Sequence, residues 1–261
     1  MGKMEITDME KNHIRDLIKS NKRPSERDFD EMRDVEIETG IAKKAEGSAK
    51  VSLGDTEVIA GVKIDVGDPF PDTPDEGILM VSAEFGPLAS PEFEMGPPGE
   101  DATELARVVD RGLRESEAVD FSELCIKEGE KVWKIMVDIH ILNHAGNLMD
   151  ASALAAAKAI HEAKIPVYED GKVNHEELDK DLKVLKTPIA CTITKIEDKL
   201  LVDADLKEEK TSDAEITVTW IEEGLCSIQK RGSGGFTPEE IKEAFKLAKE
   251  KASELREKLG E

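Results

Sequence analysis

Three arginines, Arg107, Arg111 and Arg114, stand in the stretch TELARVVDRGLRE. At about 100° per residue, positions i, i+4 and i+7 fall within roughly 60° of one helix face. Leu105, Val108, Val109 and Leu113 fall on the opposite side. A helix here buries its apolar side and presents three guanidiniums together, each able to hold a phosphate through two parallel hydrogen bonds. The same residues also fit a solvated charged face balanced by Glu104, Asp110 and Glu115.

A second place for chemistry is the turn that opens at His144. It follows the strand-like run KVWKIMVDIHIL and leads into a helix of small residues expected from Asp150 to Ala163. A strand, a glycine turn and a helix start form an anion site, because free N–H groups and the helix dipole point at the ligand. After Gly146, however, this turn offers Asn147, Leu148 and Met149. None carries a hydroxyl or a positive charge, and Asp150 adds a carboxylate that repels phosphate. The outline of a phosphate site is present without its ligands.

The third group is acidic. LLVDADLKEEKTSDAEITV carries Asp203, Asp205, Glu208, Glu209, Asp213 and Glu215. Carboxylates at a strand end can bind Mg²⁺ or act as a general acid. They fit equally a hairpin loop kept soluble by charge. His140 and His144 flank a strand end, where a spacing of four does not align two side chains as it does on a helix, so no metal site is expected. Cys125, Cys191 and Cys226 are scattered without a C-x-x-C pair and read as small buried hydrophobes. No cofactor is expected.

These groups need a scaffold of some size, and 261 residues suffice for one large domain or two packed units. Hydrophobic residues make up 39% and charged residues 36%, which suits a globular chain in water. No apolar run approaches the roughly 20 residues of a membrane span, so no membrane contact is expected. The opening MGKMEITDMEKNH lacks the apolar core of a signal peptide, and its Met-Gly start lacks the usual hydroxyl residue of a myristoylation signal. The chain reads as cytoplasmic. A net charge of −22 argues against nucleic-acid binding by the average surface, so any RNA contact must come from a local basic patch.

The elements follow from periodicity. Ile6 to Ile18 reads as an amphipathic helix, and SNKRPSERDFDEMRD as a polar connector. AKVSL and EVIAGVKIDV are strands joined by the short loop Gly54-Asp55-Thr56. GILMVSAEF is a strand, and GPLASPEFEMGPPGED a long Pro/Gly loop. Asp101, with Glu104 three residues on, is expected to cap the arginine helix. PVYEDGKVNHEELDKDL reads as a solvated loop with a short helix. Four strands follow: PIACTITKI, KLLVDAD, AEITVTWIE and GLCSIQKR. Thr237, Pro238 and Glu240 start a last helix. The order is α+β, not alternating βαβ.

FDEMRDVEIETGIAKKAEGSAKVSLGDTEVIAGVK resembles the start of the RNase PH family: an arginine, a strand with I-E-T-G, then A-E-G-S, then G-D-T. The resemblance runs on through the arginine helix, the small-residue helix, the acidic segment and GGFTPEEIKEAF, from about Ser25 to Leu259. It implies the RNase PH-like fold, of the ribosomal protein S5 domain 2-like type, as two β-rich halves with packed helices. The expected division is an N-terminal helix and connector over 1–24, a first half over 25–187 and a second half over 188–261. The N-terminal helix and Pro/Gly loop are most similar to the non-catalytic RNase PH-type subunits of the archaeal exosome. That likeness implies three further things. One is a six-membered ring in which this chain alternates with a catalytic RNase PH-type sister subunit, three copies of each. The others are RNA-binding cap subunits and single-stranded RNA as partners.

Active members of the family are phosphorolytic 3′→5′ exoribonucleases that hold phosphate at a G-T-R or serine-rich turn. Here the aligned turn is Gly146, Asn147, Leu148, Met149, a degenerate copy. Two aspartates six residues apart mark the family's active centre, and the matching positions are Glu209 and Glu215. The resemblance therefore implies a chain that is not an enzyme, with Arg107, Arg111 and Arg114 on the RNA path. Arg27 and Arg33 also match family positions, and a structural ion pair suits them equally. Two alternatives stay open: an exoribonuclease active alone through Glu209 or Glu215, and a structural ring component without RNA contact.

Overall fold

The computed structural model describes residues 6–260. The reading of the Met-Gly start falls on residues 1–5, outside the described residues. Two long strands form the centre of the first half. They are β3 (Thr56–Gly67) and β6 (Lys131–Asn143), both alternating buried and less buried residues as a half-covered strand must. They pair antiparallel, with Val62 opposite Val137 and Ile64 opposite Ile135. Around them lie β1 (Val35–Thr39), β2 (Gly47–Leu53), β4 (Ile78–Phe85) and β5 (Cys125–Lys127), in the order β1-β2-β3-β6-β4, with β5 also on β6. β4 runs parallel to β6. A parallel pair needs a crossover, and here it carries the arginine helix α2 (Glu100–Glu115), numbered after the N-terminal α1 (Asp8–Lys19).

The second half is a four-stranded antiparallel sheet. Its strands are β9 (Ile189–Ile196), β10 (Lys199–Val202), β11 (Ala214–Trp220) and β12 (Leu225–Arg231), in the order β10-β9-β11-β12. Nearly every residue of β9 and β11 is buried, because helices cover both faces. One cover comes from α2, against β4 and β12, and from α3 (Leu148–His161), against β2, β3 and β9. The other is α5 (Pro238–Leu259), which lies on β9, β10 and β11. The layers run sheet, α2 and α3, sheet, α5.

Small residues allow this closeness. Ala151, Ala155, Ala156 and Ala159 of α3 are buried, and β2 meets the helix at Gly47. A Cβ there would run into the Ala159 carbonyl and come within 2.7 Å of Ala163 Cα. Ile189, Ala252, Leu255 and Leu259 of the second half cluster with the residues of the first sheet, while Ile193, Val202, Val218, Ala244 and Ala248 form a separate core under α5. Ile14 and Ile18 of α1 pack on Ile196 and Leu201. Thr237 and Glu240 form the expected capping box, with Pro238 opening the helix.

Three expectations are corrected. The polar run after Lys164 is a β-hairpin, β7 (Lys164–Glu169) and β8 (Lys172–Asp181), with no helix. β7 buries Ile165 and Pro166, while β8 is almost wholly exposed and polar and is anchored by Glu46, through His175 Nδ1 at 2.9 Å. The acidic segment does not link a hairpin. β10 and β11 both pair with β9, and a one-turn helix α4 (Leu206–Glu209) lies in the connection. Asp101 does not cap α2. Gly99 occupies the N-cap without a side-chain bond, and Asp101 is drawn to Arg231 at 2.6 Å.

Candidate functional site

The glycine turn is held by three separate parts of the chain. Gly146 adopts φ +96, and a Cβ there would fall 2.5 Å from the Asp205 carbonyl carbon and 2.7 Å from Ala204 O. Only glycine fits both the left-handed backbone and this contact. The Gly146 carbonyl accepts from Thr56 Oγ1 at 2.6 Å and from Arg33 Nη2 at 3.2 Å. Thr56 is thus the side chain that makes the G-D-T segment part of the site. Asn147 follows in the left-handed region and N-caps α3, its Oδ1 accepting from the Asp150 N–H. Its amide Nδ2 donates to Asp150 and Asp203, both at 2.9 Å.

The backbone N–H of Asn147, which the helix's own hydrogen bonds leave over, already has a partner. It donates to Glu209 Oε1 at 2.6 Å. A carboxyl of the chain itself therefore takes the Asn147 N–H, one of the donors that the helix start would offer to an anion. This contact spans 62 residues.

The six acidic residues divide by what they touch. Asp203 is fully buried and accepts from Arg27, from the side chain and N–H of Arg33, and from Asn147. Burial would raise its pKa, but the hydrogen bond and charge of Arg33 hold it below the ordinary carboxylate range. Glu208 pairs with Arg23 at 2.6 Å, Asp213 with Arg15 at 2.7 Å, and Asp205 caps α4. Arg27 and Arg33 are structural ion pairs. Among the described residues Glu209 and Glu215 have no arginine ion-pair partner, and both face a cleft of about 360 Å³ between α2, α3 and the second sheet.

That cleft is acidic. Glu92, Asp101, Glu104, Glu209 and Glu215 line it, against Lys210 and Arg231. Lys210 is paired with Glu92, and Arg231 with Asp101. Burial, with the nearby charge of Glu215, pushes Glu209 up to about 8. Burial raises Glu215 as well, against the pull of Arg231, its cross-strand neighbour. Two such carboxyls titrate as a pair. His144 stacks on Phe93 with ring centroids 5.5 Å apart, and burial lowers it to about 4. Asp150, behind the turn, is pushed up to about 6 by burial, although Thr192 donates to it from both N–H and hydroxyl. His140 lies apart, 3.3 Å from Glu84. Among the described residues no cluster of His, Cys, Asp or Glu has the geometry to hold a metal ion.

The arginine helix buries Leu105, Val108, Val109 and Leu113 as its periodicity requires, and Arg107, Arg111 and Arg114 are all exposed. They are not equivalent. Arg114 bonds Asp110 at 2.9 Å and the Leu79 carbonyl at 2.9 Å, and lies over the Phe121 ring. Arg107 and Arg111 have no carboxylate partner among the described residues. They line a groove with Thr103 and Gln229, and that groove meets the acidic cleft at Glu104 and Gln229. The sequence reading missed Arg231, Lys210 and Glu92. Only the register of Glu215 opposite Arg231 could have pointed to the first.

Residues 31–166 match the 3′ exoribonuclease family, domain 1, and residues 186–251 match domain 2 of that family. The chain belongs to the RNase PH family of 3′ exoribonucleases. It is 47% identical to the exosome complex component Rrp42 of Methanocella arvoryzae, over 99% of this chain and 98% of that protein. It is 46% identical to the protein of that name from Thermococcus onnurineus, over 100% and 98%. It superimposes with a TM-score of 0.91 on a chain of the Archaeoglobus fulgidus exosome with RNA bound to the active site. The identity there is 45%, covering 96% of this chain and 98% of that one. The RNase PH-like α+β fold read from the motifs is therefore established.

Proposed function

We propose that this chain is a catalytically silent subunit of an archaeal exosome ring. It completes the ring beside an active RNase PH-type partner and contributes arginines to the RNA path in 3′→5′ degradation. The observation that carries this reading is the Asn147 N–H bonded to Glu209. Phosphorolysis uses phosphate as the nucleophile, and positioning supplies most of the catalysis. Here the Asn147 N–H at the helix start is taken by the internal carboxyl of Glu209, and Asn147, Leu148 and Met149 add no cationic side chain. Where pH is high enough to ionise Glu209 and Glu215, their charge repels a second anion further.

The partner reading draws on relatives named as exosome components and on the full-length match to a chain of an RNA-bound exosome. The proposed assembly alternates three copies of this chain with three of the catalytic subunit, under RNA-binding caps. Arg107 and Arg111, exposed without carboxylate partners, are the side chains we assign to RNA phosphates, with Arg114 divided between RNA and Asp110. The test is release of nucleoside diphosphates from single-stranded RNA with phosphate and Mg²⁺. The chain alone is expected to release none, and the mixture with its partner subunit to be active.

A second reading, a phosphorolytic exoribonuclease active alone, has one observation in its favour. The raised pKa of Glu209, about 8, suits a general acid. It requires release by the chain alone, abolished in Glu209→Gln.

A further inference from the structure

The cleft beside the turn is one-sided in its chemistry. Glu209 and Glu215 open on it, and among the described residues neither forms an ion pair. Glu215 is only 9% exposed, and it accepts from the Ser212 hydroxyl. Glu209 accepts from the Asn147 N–H. Both donors are neutral. Two carboxyls that share a cleft without an opposing charge ionise only at a cost. Burial, and for Glu209 the charge of Glu215, therefore keeps their protons on above the ordinary carboxylate range. The three other carboxylates of the lining share two cations. Lys210 pairs with Glu92, and Arg231 reaches Asp101 at 2.6 Å and Glu104 at 3.6 Å. Once Glu209 and Glu215 ionise, the cleft is short of positive charge.

A second, independent feature is aromatic. Phe85, Phe93 and His144 line the same cleft. The two phenylalanine rings lie 4.7 Å apart, and Phe93 stacks on His144 at 5.5 Å. Burial lowers His144 to about 4, so its ring is neutral at ordinary pH. Neutral ring faces attract a positive group and offer nothing to an anion. Leu105, Leu148 and Met149 add aliphatic surface. Rings, methylenes and carboxyls around about 360 Å³ suit an ammonium group carried on an alkyl chain. They do not suit a bare metal ion, and no group with metal-binding geometry exists among the described residues.

We infer that this cleft binds an aliphatic polyamine. One ammonium is met by Glu209 and Glu215 beside the Phe93 ring, and the methylenes run along Leu148 and Met149. A second ammonium falls to Glu92, Asp101 and Glu104, the three carboxylates that share two cations. The assignment goes beyond the silent-subunit reading and does not rest on it. Release of nucleoside diphosphates tests that reading, and a diamine titration tests this one.

Bound ammonium draws Glu209 and Glu215 into their charged forms, so binding releases protons near neutral pH and tightens as pH rises. The other charged groups facing the pair are Glu92, Asp101, Glu104, Lys210 and Arg231 on the cleft and Arg33 behind it, all engaged in the ion pairs already given. His144, at about 4, and Asp150, at about 6, titrate largely below this range.

The test is isothermal titration calorimetry of the full chain with putrescine at constant ionic strength. Saturable binding is expected, about ten-fold or more tighter at about pH 8.5 than at about pH 6.5, with proton release seen as a buffer-dependent heat. Butanediol, the uncharged analogue, should not bind. The nitrogen-15 signal of the Asn147 amide, the donor to Glu209, should move as the site fills. Glu209→Gln should bind about ten-fold more weakly at the alkaline end and lose most of the pH dependence. Phe93→Leu, which keeps both carboxyls, should bind about five-fold more weakly. No saturable binding at millimolar putrescine overturns the assignment, as does an affinity unchanged across the pH range or equal in Glu209→Gln. Displacement of putrescine by Mg²⁺ at equal concentration also overturns it, because the site would then be one for a divalent metal ion.

Discussion

Replacing Glu209 by Gln removes one titrating group and leaves an oxygen for the Asn147 N–H. In the folded chain burial and the charge of Glu215 hold Glu209 at about 8, against 4.5 in a free side chain. A carboxyl raised in this way contributes stability that is full below its unfolded pKa and is lost as pH climbs through the folded value. Between about pH 6.5 and about pH 9 the folded residue goes from mostly protonated to mostly ionised, while the unfolded one is ionised throughout. Integrating that difference gives a loss of about 2 kcal/mol, or about 4–8 °C in Tm for a chain of this length. His144, lowered to about 4, and Asp150, raised to about 6, titrate largely on the acid side of this window. Urea unfolding followed by tryptophan fluorescence across the window is the assay. The unsubstituted chain should weaken as pH rises, and Glu209→Gln should lose less than about 1 kcal/mol, the remainder belonging to Glu215. At the alkaline end the variant should be the more stable protein. Equal slopes in the two proteins would refute the placement of an ionisable Glu209 against the turn.

Gly146→Ala forces a side chain into a left-handed backbone and against Ala204, Asp205 and Leu206. We expect a loss of about 3 kcal/mol or more in urea unfolding. Asp203→Ala leaves Arg27, Arg33 and Asn147 without their shared acceptor. The expected cost is about 3–5 kcal/mol, as for breaking a buried pair, read by thermal unfolding. The double change Arg107→Ala with Arg111→Ala should weaken RNA binding of the assembled ring and flatten its log–log salt dependence by about 1.4, with the fold intact. Arg114→Ala should change the slope less, because Asp110 and the Leu79 carbonyl already engage that side chain.

Much of the fold could be read from local pattern. The capping box at Thr237, the loop after Leu53 and the buried stripe of α2 each depend on residues a few positions apart. The β7–β8 hairpin was not legible, because β8 lies exposed and polar and is pinned by the distant Glu46. Asp101 looked like a cap because no local clue shows that β12 brings Arg231 beside it. The site divides in the same way. The degenerate turn and the face shared by the three arginines were visible in spacing. Which of six carboxylates were structural was not, since Arg15, Arg23, Arg27 and Arg33 reach them from 170 or more residues away. The bond from Asn147 to Glu209 had no sequence signature at all.

The most direct measurement is the amide signal of Asn147 in a nitrogen-15 spectrum of the chain as inorganic phosphate is added. With Glu209 already on that N–H, the signal should not move at millimolar phosphate, while in Glu209→Ala it should shift and saturate. A saturable shift in the unsubstituted chain would mean that the helix start is open to phosphate and that this subunit is not silent for the reason given.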